Sequence, residues 1–141
     1  MPKSTFAHLK HSYENKPVQR YCGMEVLHAE MGRATMRLPF SERIVNLAGT
    51  VEGGVLAILV DSVCSIAFEY GLEVHEVAIT VDLRLDYIAP LTPGHAALAK
   101  GRVVHRGRTI GRCVADITEE TSGKLLATGL TVFVIRPRQR W

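Results

Sequence analysis

Only one stretch of this chain reads as a long helix, and that helix is apolar on nearly every side. It opens at Gly53-Gly54, continues "VLAILVDSVCSIAFEY" to about Tyr70, and meets a natural stop at Gly71. At about 100° per residue, Val55, Leu56, Leu59, Val60, Val63, Ile66, Ala67 and Tyr70 fall on one broad stripe, the face expected to meet a sheet. Asp61 falls almost opposite, near Ala57, Cys64 and Phe68. A helix apolar nearly all round must be covered on both sides. Little of the chain is left to cover the second side, so a second subunit is expected there. Asp61 would then lie at or near a subunit interface, partly desolvated.

The rest alternates at the period of strands. "VAITVDLRLDYIAPL" sets Val77, Ile79, Val81, Leu83, Leu85 and Tyr87 on one face and Ala78, Thr80, Asp82, Arg84 and Asp86 on the other. "HAALAKGRVVHRG", "RTIGRCVADITEETS" and "KLLATGLTVFVI" follow, separated by turn residues, and four long strands are expected in a meander. Upstream, a short helix over 4–14 ends at Lys16-Pro17, and two strands flank Met31-Gly32. The tail 136–141 is basic and broken by Pro137. One helix against an antiparallel sheet is an α+β architecture, here one domain over 1–141.

Composition removes several classes. A net charge of +3 over 141 residues is too small to argue for nucleic acid. No apolar run is long enough to span a bilayer, so no membrane partner is expected. "MPKSTFAHLKHSYENKP" lacks the apolar core of a signal peptide, and the expected location is cytoplasmic. Cys22, Cys64 and Cys113 are odd in number, far apart and form no CxxC pair. Neither a disulfide framework nor a zinc site is expected. Cys64, inside the helix, reads as a small buried hydrophobe.

Two features carry chemistry. A lone carboxylate on an apolar helix is costly unless it is paired or functional, which makes Asp61 the first candidate. Gly53-Gly54 would let a ligand approach the backbone closely. The first N–H groups of a helix have no internal partner, and with the helix dipole they form a donor site for an anion or a polarised carbonyl.

Asn46, Gly49, Gly53-Gly54 and Asp61 in this order, then a long strand ending "DYIAPL", resemble the hotdog-fold thioesterases. The resemblance is to the PaaI-type acyl-CoA thioesterase family in particular, from about Tyr21 to Ile135. It implies a hotdog fold, an antiparallel sheet wrapped around one long central helix. It implies a homo-oligomer, a dimer or a dimer of dimers, with active sites at the dimer interface. The substrate implied is an acyl-CoA, with coenzyme A entering as part of the substrate and no metal or separate cofactor. Carried over residue by residue, Asp61 is the catalytic carboxylate, acting as general base or nucleophile. Gly53 and Gly54 are the donors to the thioester oxygen, and Asn46 helps position the water.

One departure stands in the motif: the family's His is Glu52 here. A carboxylate beside an oxyanion site opposes the charge that develops there. The remaining substrate-binding candidates are Leu47 and Phe68, lining an acyl pocket for an aromatic or medium-chain group, and Thr80, approaching from the second subunit. Asp82 is expected to pair with Arg84 or another surface base. The coenzyme A phosphates call for cations, with Arg84, Arg102, His105, Arg106 and Arg108 as candidates, and the Arg106-Gly107-Arg108 turn foremost. Arg136, Arg138 and Arg140 read as a frayed basic end. The expected function is hydrolysis of an acyl-CoA thioester. The alternative, raised by Glu52, is a non-catalytic hotdog protein that binds acyl-CoA or an acyl carrier protein.

Overall fold

In the computed structural model, residues 3–139 are described. The elements run α1 Phe6–Glu14, α2 Pro17–Cys22, β1 Glu25–Glu30, β2 Arg33–Pro39, a 3₁₀ turn Glu42–Ile44, and α3 Gly53–Glu69. Then come β3 Glu76–Tyr87, β4 Ala96–Arg106, β5 Ile110–Glu119 and β6 Leu125–Pro137. The strands form one 6-stranded sheet in the order β1-β2-β4-β5-β6-β3, and every neighbouring pair is antiparallel. It wraps around α3, the hotdog architecture that the motif implies. No helix among the described residues is long and apolar enough to cross a membrane.

The expected meander is only partly present. β4, β5 and β6 follow one another, but β3 pairs with β6 rather than with β4. The segment from Ile88 to His95 carries the chain back across, tied by Val51 N–H to Leu91 O and Phe40 N–H to His95 O. β4 therefore lands beside β2, and β3 is left as an edge strand.

Small residues let the sheet approach the helix closely. Ala34, Gly101, Ala115 and Gly129 stand in register across four strands. A Cβ on Gly101 would sit 3.1 Å from the Val63 carbonyl oxygen, and one on Gly129 would overlap Val60. On β5, a Cβ on Gly111 would overlap the ring of Phe68. The helix lies in a trough floored by residues without bulk.

The second side of α3 is covered within the chain along its C-terminal half, which narrows the inference that a partner must cover it. Pro17 does not merely end α1: it sits at the start of α2, where its missing N–H costs nothing, and Gly23 at φ 75° closes that helix. α1 and α2 meet α3 through polar contacts, Gln19 to Ser62 at 3.2 Å and Tyr13 to Glu69 at 3.3 Å. Ser62, Ser65 and Glu69 are buried as a result. What stays open on α3 is its first half, with Gly54 exposed and Ala57 and Asp61 partly buried.

The face assignment of β3 also needs correction. Thr80 pairs with Phe133 and Asp82 with Val132, so Val81 is an extra residue in a β-bulge. The bulge reverses the alternation. Ala78 and Thr80 face α3 before it, while Leu83 and Leu85 face α3 after it, opposite Thr131 and Gly129. Ile79 and Val81, on the apolar face of the sequence pattern, are 42% and 58% exposed on the unpaired edge strand.

Candidate active site

Asp61 is held by the strand that the bulge turns toward it. Thr80 Oγ1 donates to Asp61 Oδ1 at 2.6 Å, within the range of a charge-assisted O–H···O⁻ bond. Without the extra residue at Val81, the strand could not turn Thr80 inward in its first half and Leu83 and Leu85 inward in its second. Thr80 thus reaches the carboxylate from the same chain, not from a second subunit. Asp61 Oδ2 accepts no hydrogen bond among the described residues.

The helix start is open. Neither the Gly53 nor the Gly54 amide has a partner among the described residues, while Val55 N–H turns back to Glu52 O at 2.9 Å. Glu52 occupies the N-cap with an exposed side chain that makes no capping bond. Unpaired amides at the positive end of a helix of 17 residues are oriented donors. The hydroxyl of Tyr87, a residue that sequence reasoning did not single out, donates to the Gly53 carbonyl at 2.7 Å.

Asn46 is committed to its own loop. Its Oδ1 accepts from Ala48 N–H at 3.0 Å and Thr50 N–H at 3.2 Å, and its Nδ2 donates to Thr50 Oγ1 at 2.9 Å. Thr50, also missed from sequence, is the residue that locks this side chain. The staple pushes Leu47 outward to full exposure at the loop tip, so Leu47 lines no pocket within its own chain.

These parts stand well apart along one helix. Eight residues of helix separate Gly53 from Asp61, about 12 Å at 1.5 Å per residue. A reacting carbonyl must lie about 3 Å from both its oxyanion donors and the attacking group.

Comparison with known proteins gives the family. The thioesterase superfamily profile matches residues 48–126, more than half of the chain and the part that holds Gly53, Gly54, Asp61 and Thr80. The chain belongs to the thioesterase superfamily. Acyl-coenzyme A thioesterase 13 of Mus musculus is 32% identical over 91 residues, and the match spans 62% of this chain and 62% of that protein. The 1,4-dihydroxy-2-naphthoyl-CoA hydrolase of Listeria monocytogenes is 25% identical over 122 residues, 86% of this chain and 98% of that one. Among solved structures, a mutant of the phenylacetic acid degradation protein PaaI of Thermus thermophilus superposes with a TM-score of 0.77 at 27% identity, covering 84% of this chain and 98% of that one.

Other expected site residues of this thioesterase-superfamily chain lie elsewhere. Phe68 is fully buried, stacked on Phe133 with ring centroids 5.3 Å apart and seated over Gly111, so it belongs to the core and not to an acyl pocket. Cys64 is buried on the same side of α3, and Cys113 Sγ lies 3.5 Å from its carbonyl oxygen. The Cys113 thiol is pushed far up by its bond to Cys64 and by burial, which suits a structural thiol. The Arg106 guanidinium lies 4.5 Å over the Phe68 ring and donates to the Phe68 carbonyl at 2.7 Å. It caps the C-terminal end of α3, where a cation complements the dipole, and is not free for a phosphate. Arg84 pairs with Asp82 at 3.2 Å, as expected for Asp82. Arg102 and Arg108 are exposed, and neither has a carboxylate within 4 Å among the described residues. Arg136 is not frayed but stands in β6 opposite Val77, and Arg138 N–H donates to His75 O; Arg140 lies outside the described residues.

A buried carboxyl near the far end of α3 was not foreseen. Glu69 accepts from Ala78 N–H at 3.2 Å and from Tyr13 O–H at 3.3 Å, and burial holds its pKa above the usual glutamate value. It ties α1 and β3 to α3 and lies outside the Asp61 region.

Proposed function

We propose that this chain is an acyl-CoA thioesterase that hydrolyses an aromatic or medium-chain acyl-CoA to the free acid and coenzyme A. The observation that carries the reading is Asp61: a partly buried carboxylate on an apolar helix, held through one oxygen by Thr80, with no partner on the other among the described residues. Such a group is placed to take a proton from water or to attack a carbonyl carbon itself. Family membership supports thioester hydrolysis as the chemistry. The aromatic class draws support from the Listeria relative, which is named for an aromatic acyl-CoA.

The spacing along α3 supports a site built from two chains. In this reading β3, the unpaired edge with Ile79, Val81 and Leu83 exposed, pairs with its twin in a homodimer. The Gly53-Gly54 amides of one protomer then polarise the thioester beside Asp61 of its partner. Water, activated by Asp61, adds to the carbonyl carbon; the amides hold the oxyanion, and coenzyme A leaves as its thiolate. Where Asp61 attacks instead, water resolves the resulting anhydride. A general base typically contributes roughly 10²–10⁴-fold, and an oxyanion donor about 3–4 kcal/mol. Glu52, exposed at the N-cap, opposes the oxyanion least when its carboxylate stays in solvent. Of the arginines expected at the coenzyme A phosphates, Arg102 and Arg108 are those without a carboxylate or backbone partner among the described residues.

Thiol release from short, medium, long and aromatic acyl-CoAs, by wild type and Asp61→Ala in parallel, tests the reading. Release by wild type, lost by at least about 10²-fold in the variant, is the expected result. Tight acyl-CoA binding without release by either protein would replace this reading with a non-catalytic binder.

A further inference from the structure

Tyr87 ends β3 and is 55% exposed, so water alone could satisfy its hydroxyl. It donates instead to the Gly53 carbonyl at 2.7 Å. Its ring lies against the same residue, 3.4 Å from where a Cβ on Gly53 would stand.

That carbonyl is the first acceptor of the α3 ladder, and no side chain caps the turn it belongs to. Glu52 supplies no capping bond, and the first turn of α3 carries no acidic side chain. Gly53 and Gly54 have the widest backbone freedom of any residue type. Donors that must point at a developing oxyanion act best when they need no rearrangement. The oxygen that Tyr87 engages is one end of the Gly53–Gly54 peptide, and the Gly54 N–H is the other. A donor on that oxygen fixes the peptide plane and polarises the N–H.

We propose that Tyr87 is a positioning residue for the oxyanion site: it touches no substrate, but holds the Gly53–Gly54 peptide so that its amide stays aimed at the thioester. This rests on the thioesterase reading above. β3 then orders both halves of the machinery, Asp61 through Thr80 and the helix start through Tyr87. Because Gly53 and Asp61 of one chain serve different sites, the strand of one protomer braces parts of both active sites in the dimer.

Tyr87→Phe keeps the ring and removes only the donor. The measurement is kcat and KM for an acyl-CoA that wild type hydrolyses, together with the Gly53 and Gly54 amide signals in a ¹⁵N–¹H spectrum. A fall in kcat of about tenfold is expected, with KM within about twofold, an unchanged Tm and a displaced Gly54 amide signal. Tyr87→Leu, which also removes the ring, should lower kcat at least as far. Unchanged kcat in Tyr87→Phe would overturn the proposal, as would a loss confined to KM, which marks a surface contact with coenzyme A. If wild type hydrolyses no acyl-CoA, the thioesterase reading fails by itself. The brace is then judged on the spectrum, where an unmoved Gly54 amide in Tyr87→Phe overturns it.

Discussion

Asp61 is effective only as far as its surroundings fix it. One oxygen takes the hydroxyl of Thr80 at 2.6 Å, which leaves the other for the reaction. Thr80→Val keeps the shape and removes the donor. Its kcat is expected to fall about tenfold with little change in Tm, because one charge-assisted bond is lost from a partly buried group. Thr80→Ser should restore most of the rate; full activity in Thr80→Val would mean that the carboxylate needs no such orientation. The candidacy of Asp61, Gly53 and Gly54 was legible in sequence, because a lone charge and a glycine pair stand out against an apolar helix. The roles of Thr80 and Thr50 were not. Each depends on a local backbone event, a bulge at Val81 and a loop stapled by Asn46, that residue types alone do not announce. Phe68 was misplaced for a related reason. An angle on a helical wheel cannot say how far a sheet wraps, and the sheet reaches Phe68 because Gly111 leaves room for its ring.

Among the elements, α3 and the strands were legible because their periods differ, and the α+β class follows from that contrast. α2 was hidden because Pro17 both ends one helix and begins the next. The consequence is a polar seam between the N-terminal helices and α3, with Glu69 at its end. Its raised pKa has a definite sign: the stability it contributes is full below the ordinary glutamate range and is lost as pH rises through the raised folded value. Glu69→Gln can still accept from Ala78 N–H and meet Tyr13 without an ionisable group. Thermal melts from about pH 4 to pH 8 should show the variant matching wild type at the acid end and gaining on it as pH rises. A variant that falls further behind wild type as pH rises would show that the ionised carboxylate, well paired with its donors, is the stabilising form.

At the scale of the whole molecule, an oligomer rests on different grounds from those in the sequence. The second half of α3 is buried within the chain, by the sheet at Phe68 and by α1 and α2 at Ser62 and Glu69, so α3 leaves only its first half for a partner. The case for one comes from the unpaired apolar edge of β3 and from the roughly 12 Å that separates Gly53 from Asp61 along the helix. The central claim is that each site draws on two chains, and complementation tests it most directly. Asp61→Ala removes the carboxylate. Gly53→Pro removes one N–H at the first helical position, where proline is tolerated. Each variant alone should be nearly inactive. Unfolded together in equal amounts and refolded, they should recover about a quarter of wild-type thioesterase activity, because half the dimers are mixed and each mixed dimer has one intact site. No recovery from two variants that fold and dimerise would place the carboxylate and the donors of each site in the same chain, contradicting the account.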